Sequence, residues 1–424
     1  MGKKHSGYII DTLLVFLNVS NPYTLIPCLL FTRNIGVNTL IIAFINIIYI
    51  FCRFGYKVKI PRHDSLFYLY VTIYVLNACF GFYTDTFVLG MLTFLFSNVS
   101  FYLILCNLYH LYYQENTFEQ AVKKLTKGYV WLGIYALFSA FALLFLMEVF
   151  QVNPLVNEIS HSYDILADNV GRNPNVHYYF PYHLSVIYSN MYELRLPFIH
   201  KYGIVTGLFH EPHTMTFIIV PLYFLLLYLC KKKSARIWIT VIFVLYILQA
   251  ASTMSFLCFL GTVLVGLVAT YRKMLLGVPF LIWGIFLLYS IDNPITELIK
   301  YKLTSGSADY STNTLLFAFT PTTLIGTSFL NLAYLHDVGG RYDVGFIIFL
   351  LNIIFLSILA YKIFCVTISR AGRIKFIGLF GVYFFLHSTK LAMSAYTISL
   401  LMFVMFLITV TYRELKTSNY DRES

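Results

Sequence analysis

The chain has 424 residues, of which 59% are hydrophobic and only 12% are charged, and its mean hydropathy is +0.73. Because soluble proteins carry about 25% charged residues, this composition excludes an ordinary soluble domain and indicates a polytopic membrane protein. The formal charge of +11 at pH 7 is, in such a chain, mainly a signal of topology and gives no indication of nucleic-acid binding.

Apolar segments long enough to cross a bilayer recur along the whole chain. A crossing helix needs about 20 apolar residues, and by that measure we predict an all-α fold with about twelve transmembrane helices. The uncharged stretch 237–270 is too long for one crossing, so we fold it as a hairpin at Ala251-Ser252-Thr253. The predicted helices lie near 10–31, 37–54, 65–82, 86–110, 129–150, 214–230, 237–251, 254–270, 274–291, 342–364, 374–388 and 392–412.

The basic run Lys231-Lys232-Lys233-Ser234-Ala235-Arg236 lies between two apolar segments and sets the predicted topology. With the amino terminus in the cytoplasm, about 22 of the 30 Lys and Arg residues fall on the cytoplasmic side, as the positive-inside rule requires. The sequence therefore predicts a multi-pass protein with both termini in the cytoplasm.

Two long polar segments, 151–213 and 292–341, interrupt the pattern of short connections, and we place both on the external face. Long loops in a compact protein are usually functional. They divide the chain into helices 1–5 (1–150), the first large loop (151–213), helices 6–9 (214–291), the second large loop (292–341), and helices 10–12 with a cytoplasmic tail (342–424).

The first loop contains apolar residues at helical spacing, and we predict an amphipathic helix that lies flat in the membrane interface. Its apolar positions are Leu184, Ile187, Met191, Leu194 and Phe198. The loop ends in the run Gly207–His213, in which Pro212 suits the first turn of the next helix because its missing N–H would have been unpaired there anyway.

Cationic and donor groups collect where this helix begins. The positive end of a helix attracts anions, so we nominate Arg195, Lys201, His210 and His213 as ligands of an anionic lipid headgroup. In the alternative interpretation, Glu211 only complements the helix dipole, and the two long cations extend to ordinary phospholipid headgroups. The spacing of the two histidines is one residue too short for the metalloprotease motif, so we predict no metal site.

The second loop offers Lys302, and then His336 beside Asp337 and near Arg341. An imidazole next to a carboxylate and a guanidinium could act as a base beside an anion site. Neighbouring side chains often point apart, however, so His336 and Asp337 need not pair. Ionisable residues are few within the predicted helices, which argues against ion-coupled transport, and no phosphate-binding glycine loop is present.

The short motifs and the topology together resemble the Wzy-type O-antigen polymerases and, more distantly, the O-antigen ligases. The resemblance rests on the element Gly207-Leu208-Phe209-His210-Glu211-Pro212, on the serines around Ala251–Ser255, and on the two large external loops. The chain lacks the arginine that many of these proteins carry two or three residues before the Gly-Leu-Phe element, and it has Ile204 and Val205 there.

This resemblance implies a GT-C-like membrane glycosyltransferase in a bacterial inner membrane. It would join oligosaccharide repeat units carried on undecaprenyl pyrophosphate, without a cofactor and with a chain-length regulator as a possible partner. A pyrophosphate leaving group calls for fixed cations, for which Arg195, Lys201 and Arg341 are the candidates. His336, and after it Glu211, are the candidate bases. An O-antigen ligase and a lipid-linked oligosaccharide flippase remain the alternatives.

Overall fold

The computed structural model describes residues 2–22, 24–32, 34–62, 64–83, 89–151, 177–179, 186–189, 204–207, 209, 212–250, 252–271, 346–369, 372–388 and 399–423. These residues form thirteen α-helices and three short strands. The helices are α1 (Gly2–Ser20), α2 (Ile26–Leu30), α3 (Ile35–Phe54), α4 (Ser65–Tyr83), α5 (Leu89–Glu115), α6 (Phe118–Leu125), α7 (Lys127–Val149), α8 (Pro212–Leu229), α9 (Lys233–Ala250), α10 (Thr253–Thr270), α11 (Phe346–Thr367), α12 (Lys375–Ser388) and α13 (Ser399–Glu423). The strands are β1 (His177–Tyr179), β2 (Val186–Ser189) and β3 (Ile204–Gly207).

The helices make this a mostly helical, multi-pass membrane protein. Within the described residues, 6 helices are long and apolar enough to cross a bilayer, namely α3, α5, α7, α8, α9 and α11. Shorter apolar helices occur in α1, α4, α10 and α12. Each predicted membrane segment overlaps one of the helices except 274–291, which lies outside the described residues.

The first predicted segment, 10–31, differs from the structure because it contains two helices instead of one. α1 ends at Ser20, and α2 starts only at Ile26. Pro22 lies between them. Proline has no backbone N–H to donate and is poorly tolerated in the interior of a helix, so it separates the two. The hairpin predicted at Ala251-Ser252-Thr253 agrees with the structure, since α9 ends at Ala250 and α10 begins at Thr253.

Helix α8 is the most enclosed of the six long apolar helices, with 83% of its residues buried. It packs against α7, α9, α10, α12 and strand β3. Pro221 lies inside it and removes one backbone donor. The Tyr129 hydroxyl of α7 donates a hydrogen bond to the Ile218 carbonyl of α8. The backbone donor missing at Pro221 would have bonded the Phe217 carbonyl, so the Tyr129 bond reaches the next carbonyl along and fixes α7 against this part of α8.

The other helices pack around this centre, and buried amides join three of them. Asn18 of α1 and Asn46 of α3 exchange two side-chain hydrogen bonds of 2.8 Å, and Asn46 also donates to Ser100 of α5 at 3.1 Å. Hydrogen bonds of this kind hold helices together where lipid offers no alternative partner. α13 packs against α5, α11 and α12 and so connects an amino-terminal helix to the two preceding carboxy-terminal helices.

The three strands form an antiparallel sheet in the order β1-β2-β3. Ile187 pairs with Val205, and Tyr188 pairs with Ile204. The predicted amphipathic helix is therefore wrong at 186–189, which form strand β2. β-Branched and aromatic residues favour strands, and here Val186, Ile187 and Tyr188 pair with the buried strand β3, an interaction that helical periodicity cannot reveal.

Glu119 of α6 is held between two cations at the end of the bundle where α8 finishes. Arg373 donates to both Glu119 carboxylate oxygens at 3.0 Å, and Lys231 Nζ lies 3.3 Å from Glu119 Oε1. Partial burial opposes ionisation of Glu119, but the hydrogen bonds and charges of Arg373 and Lys231 outweigh it and lower the pKa of this carboxyl. Arg373 also donates to the Tyr228 carbonyl at 2.8 Å, which ties α6 to α8.

We expect Gly378→Ala to separate α11 from α12 and to destabilise the protein. A Cβ atom at Gly378 would lie 2.3 Å from Thr367 Oγ1 and 2.5 Å from the Thr367 backbone nitrogen. The Thr367 backbone cannot move aside without disturbing α11, so we expect the free energy of unfolding to fall by about 1–3 kcal/mol. Thermal unfolding in detergent measures this loss of stability. Gly261→Ala is the matched control, because its Cβ would meet only Leu386 Cδ1 at 3.4 Å. Equal melting temperatures for the two variants would contradict this packing.

Candidate functional site

Of the predicted site residues, His213 alone lies within the part of the chain that the structure describes, in the first turn of α8. The others lie outside the described residues: Arg195, Lys201, His210, Glu211, Lys302, His336 and Arg341. The structure therefore shows the surroundings of the Gly207–His213 element, and those surroundings define the candidate site.

A tight turn precedes α8. Thr206 Oγ1 donates to the Phe209 carbonyl at 2.7 Å, and the Phe209 N–H donates to the Thr206 carbonyl at 3.2 Å. Gly207 has φ +63°, a conformation that residues with a Cβ rarely adopt. A Cβ there would also lie 3.1 Å from Ser139 Oγ of α7. Glycine in this element is thus required by the turn and by the close approach of α7.

Helix α8 begins at Pro212, as the sequence predicts. The Thr216 hydroxyl lies within hydrogen-bonding distance of the Pro212 carbonyl (3.0 Å) and the His213 carbonyl (3.1 Å). The first N–H groups of a helix have no partner within the helix itself. In α8 this end directly follows His210 and Glu211 in the chain. His213 is partly buried at the same end.

Tyr383 of α12 brings the serine-bearing hairpin to the start of α8. Ser252 caps α10 by accepting from the Ser255 N–H at 3.3 Å. The Ser255 hydroxyl lies 2.8 Å from the Tyr383 hydroxyl, which also donates to the Thr216 carbonyl at 3.4 Å. From the other arm of the hairpin, Gln249 donates to the Val205 carbonyl of β3 at 2.6 Å. The serine-bearing hairpin thus contacts the chain on both sides of the Gly207–Pro212 element, at Val205 before it and at Thr216 after it.

His387 lies one helical turn after Tyr383 and is fully buried. Its ring stacks on Phe217 of α8, with centroids 5.2 Å apart, and on Tyr383, with centroids 5.6 Å apart. The sequence analysis missed Tyr383 and His387 as site residues. Their i, i+4 spacing could have indicated a shared helix face, but the sequence alone does not show that α8 covers that face. We call Thr216, Ser255, Tyr383 and His387 the polar cluster.

Polar groups buried inside a helical membrane bundle are costly and often mark function. The polar cluster lies where α8 and α10 begin and where α9 and α12 end, beneath the turn at Gly207. It offers hydroxyl groups and an imidazole beside a helix amino terminus. This arrangement suits recognition of a polar or anionic group that enters from that end of the bundle.

Besides the Glu119 pairs, the opposite end holds two further ion pairs among the described residues. Asp11 accepts from Tyr112 at 2.7 Å and lies 3.5 Å from Arg53, and Lys362 Nζ lies 3.8 Å from Asp64 Oδ1. Asp11 and Lys362 are two of the few ionisable residues within the predicted helices, and the sequence analysis assigned neither a partner. Their partners come from other parts of the chain, so only the packing shows the pairs.

The fold and the polar cluster define the class as a polytopic helical membrane protein with a buried polar site at one end of its bundle. No family model, no curated protein and no solved structure matches this chain. The argument for function therefore depends on the residues and their geometry.

We expect the Ser255–Tyr383 contact to couple α10 to α12 measurably. Ser255→Ala and Tyr383→Phe should each destabilise the protein, and the double variant should lose less than the sum, with a coupling of about 0.6 kcal/mol. Thermal unfolding in detergent of the wild type, the two single variants and the double variant completes this double-mutant cycle. Tyr361→Phe serves as a control, because Tyr361 is exposed. Strict additivity of the two changes would show that the hydroxyls do not interact.

Proposed function

We propose that this protein polymerises oligosaccharide repeat units that are linked to undecaprenyl pyrophosphate, at the external face of a bacterial inner membrane. The observation that carries the proposal is that Tyr383 joins the serine hairpin to Thr216, one turn into the helix that begins at Pro212. The serine motif of the resemblance to Wzy-type polymerases thus meets the helix that directly follows the other motif, the Gly207–Pro212 element. A GT-C-like fold belongs to this same proposal.

The distribution of cations supports an external position for the site. Lys231, Arg373 and Lys375 lie at the end where α8 finishes and α12 begins. The polar cluster lies at the other end of these helices. By the positive-inside rule the cation-rich end belongs in the cytoplasm, which leaves the polar cluster facing the external leaflet.

In the proposed reaction, a hydroxyl oxygen at the non-reducing end of the acceptor attacks the anomeric carbon of the donor glycan. The new glycosidic bond forms, the bond from that carbon to pyrophosphate breaks, and undecaprenyl pyrophosphate leaves. The proton of the hydroxyl passes to a base, for which we propose His336 first and Glu211 second. A positioned base contributes about 10²- to 10⁴-fold.

Cations are needed because the leaving pyrophosphate gains negative charge in a water-poor site, where fixed charges act most strongly. We assign this role to Arg195, Lys201 and Arg341. Lys302, His210 and His213 are proposed to bind the rest of the substrate. His213 is the member of this set whose position supports the assignment, since it lies in the first turn of the helix that Tyr383 joins to the serine hairpin.

A lipid-linked oligosaccharide flippase is the second candidate, and the buried ion pairs are the observation that favours it. A flippase needs charges inside the bundle, and the buried carboxylates Asp11 and Asp64, paired with Arg53 and Lys362 toward the end opposite to the polar cluster, supply some. Both carboxylates, however, also accept hydrogen bonds from tyrosines, Asp11 from Tyr112 and Asp64 from Tyr102. Partners of this kind suit structural pairs, so the polymerase remains our proposal.

The surface glycan profile of cells that lack the protein tests the proposal. We expect single repeat units attached to the lipid core and no long chains, because transfer to the core does not require polymerisation. Complete loss of attached sugar, with lipid-linked polymer accumulating in the external leaflet, would indicate a ligase instead. Complete loss with single lipid-linked units trapped in the cytoplasmic leaflet would indicate a flippase. Reintroduction of the intact gene should restore the ladder of long chains.

A further inference from the structure

An apolar groove lies between α10, α11 and α12 and opens to the surface of the bundle. Its volume is about 150 Å³. Its walls include Val265 of α10, Ala360 and Phe364 of α11, and Val382, Phe385 and Leu386 of α12. Val265 and Phe364 are exposed, so the groove faces the surroundings of the protein. The hydroxyl of Thr367, which also lines the groove, donates to the Ile363 carbonyl at 2.7 Å and so presents no unpaired donor.

A cation lies on the same side of α12 as the groove, about 10 Å along the helix from Val382, the first residue of α12 that lines it. Lys375 precedes Val382 and Leu386 by seven and eleven residues, which places all three on the same face of α12. The half-buried Lys375 reaches across to α10, where its Nζ donates to Thr270 Oγ1 at 3.0 Å. Arg236 adds a second cation at this end of α12, 5.7 Å from the centre of the Phe376 ring. Elsewhere in the described parts of α10, α11 and α12, Lys362 is the single lysine or arginine, and it faces Asp64.

The dimensions suit one leaflet of a bilayer. From Lys375 to Leu386, α12 rises about 16 Å. Half of the hydrocarbon core of a bilayer is about 15 Å thick. A chain that begins at Lys375 would enter the groove about 10 Å further along α12, at Val382, and would end near the middle of the membrane. A lipid whose headgroup lies at the other end of α12 would meet no lysine or arginine among the described residues there.

We infer that this groove binds one acyl chain of an anionic phospholipid whose phosphate pairs with Lys375. The apolar walls would hold the chain, and Lys375 would select the charge of the headgroup. The lipid would connect α10 to α12 on a face of α12 that lies about 100° around the helix from the face that carries Tyr383 and His387. This site is separate from the proposed polymerase site, so either proposal can fail without the other.

Native mass spectrometry of the purified, delipidated full chain can test the inference, with phosphatidylglycerol and phosphatidylethanolamine of identical acyl chains as probes. Near a membrane surface one lysine contributes about 1 kcal/mol toward an anionic lipid, so we expect about five-fold tighter binding of phosphatidylglycerol. Lys375→Ala should abolish this preference. Lys233→Ala, an exposed lysine at the same end of the bundle, should keep it. An unchanged preference in Lys375→Ala would overturn the assignment of the phosphate.

A second measurement locates the acyl chain without relying on a variant. Phosphatidylglycerol with a photoreactive group on its acyl chain should label peptides that contain Phe364 or Val382–Leu386, and unlabelled phosphatidylglycerol should displace it. Ala360→Phe, which fills the groove, should reduce this labelling several-fold. Labelling confined to other helices would overturn the inference. Displacement by a polyprenyl phosphate but not by phosphatidylglycerol would overturn it as well and would assign the groove to a carrier lipid.

Discussion

Replacing Arg195, Lys201 or Arg341 singly with alanine is expected to abolish chain extension while the protein stays at its normal abundance. If these cations stabilise the departing pyrophosphate, each contributes to the transition state and little to folding. Loss of one electrostatic contact of this kind typically costs about 10²- to 10³-fold in turnover. In the glycan profile of a complemented deletion strain, such a loss should convert the ladder of long chains into single repeat units.

Lys416→Ala is the matched control for this series, since Lys416 is an exposed cation of the carboxy-terminal helix, far in the chain from both large loops. It should leave the ladder intact. Arg195→Lys and Arg341→Lys should recover part of the activity, because they keep a positive charge but lose the planar, bidentate geometry of arginine. Long chains in all three alanine variants, at normal abundance, would show that the cation assignment is wrong.

Lys362→Met is expected to cause the largest loss of stability. Lys362 is 9% exposed and Asp64 is 2% exposed, so the change leaves a buried carboxylate without its cation. In the wild type, Asp64 accepts from the Tyr102 hydroxyl of α5 and Lys362 of α11 donates to Thr409 of α13 at 3.1 Å. The pair therefore joins the start of α4 to α5, α11 and α13, and in the variant Asp64 keeps only the Tyr102 contact of these. Removing one member of a buried pair typically costs about 3–5 kcal/mol. Thermal unfolding and the yield of folded protein in detergent measure this loss.

The double variant Asp64→Asn, Lys362→Met separates charge from packing. It removes both charges and leaves an amide that can still bond Tyr102, so most of the lost stability should return. If the double variant is as unstable as Lys362→Met alone, the unpaired charge is not the cause. If the double variant regains stability but the strain makes no long chains, the pair has a role in function, which would favour the flippase over the polymerase.

The hydrophobic pattern located most of the described helices because an apolar run of about 20 residues has few alternatives in a membrane. Among the described residues, 6 helices are long and apolar enough to cross a bilayer, and the total of about twelve crossings stays a prediction. The hairpin at Ala251–Thr253 and the start of α8 at Pro212 agree with the structure for similarly local reasons: a polar break in an apolar stretch, and a proline in a first turn. The break in the first predicted segment and strand β2 were not predicted. The first of these did have a local signal, because Pro22 lies inside the predicted segment, but the prediction gave it no weight. Strand β2 depends on its pairing with β3, which is not local in the sequence.

For the candidate site, the sequence alone determined the class of protein, the positions of most of its described helices, and the two motifs at Gly207–Pro212 and Ser252–Ser255. Only the tertiary structure decided that the serine hairpin meets the helix that follows the Gly207–Pro212 element, that Tyr383 joins the two, and that His387 lies buried against Phe217. The physical reason is that hydropathy and local periodicity are properties of a segment. Which helix covers which face is determined by packing and hydrogen bonds between residues more than 100 positions apart, such as Ser255 and Tyr383.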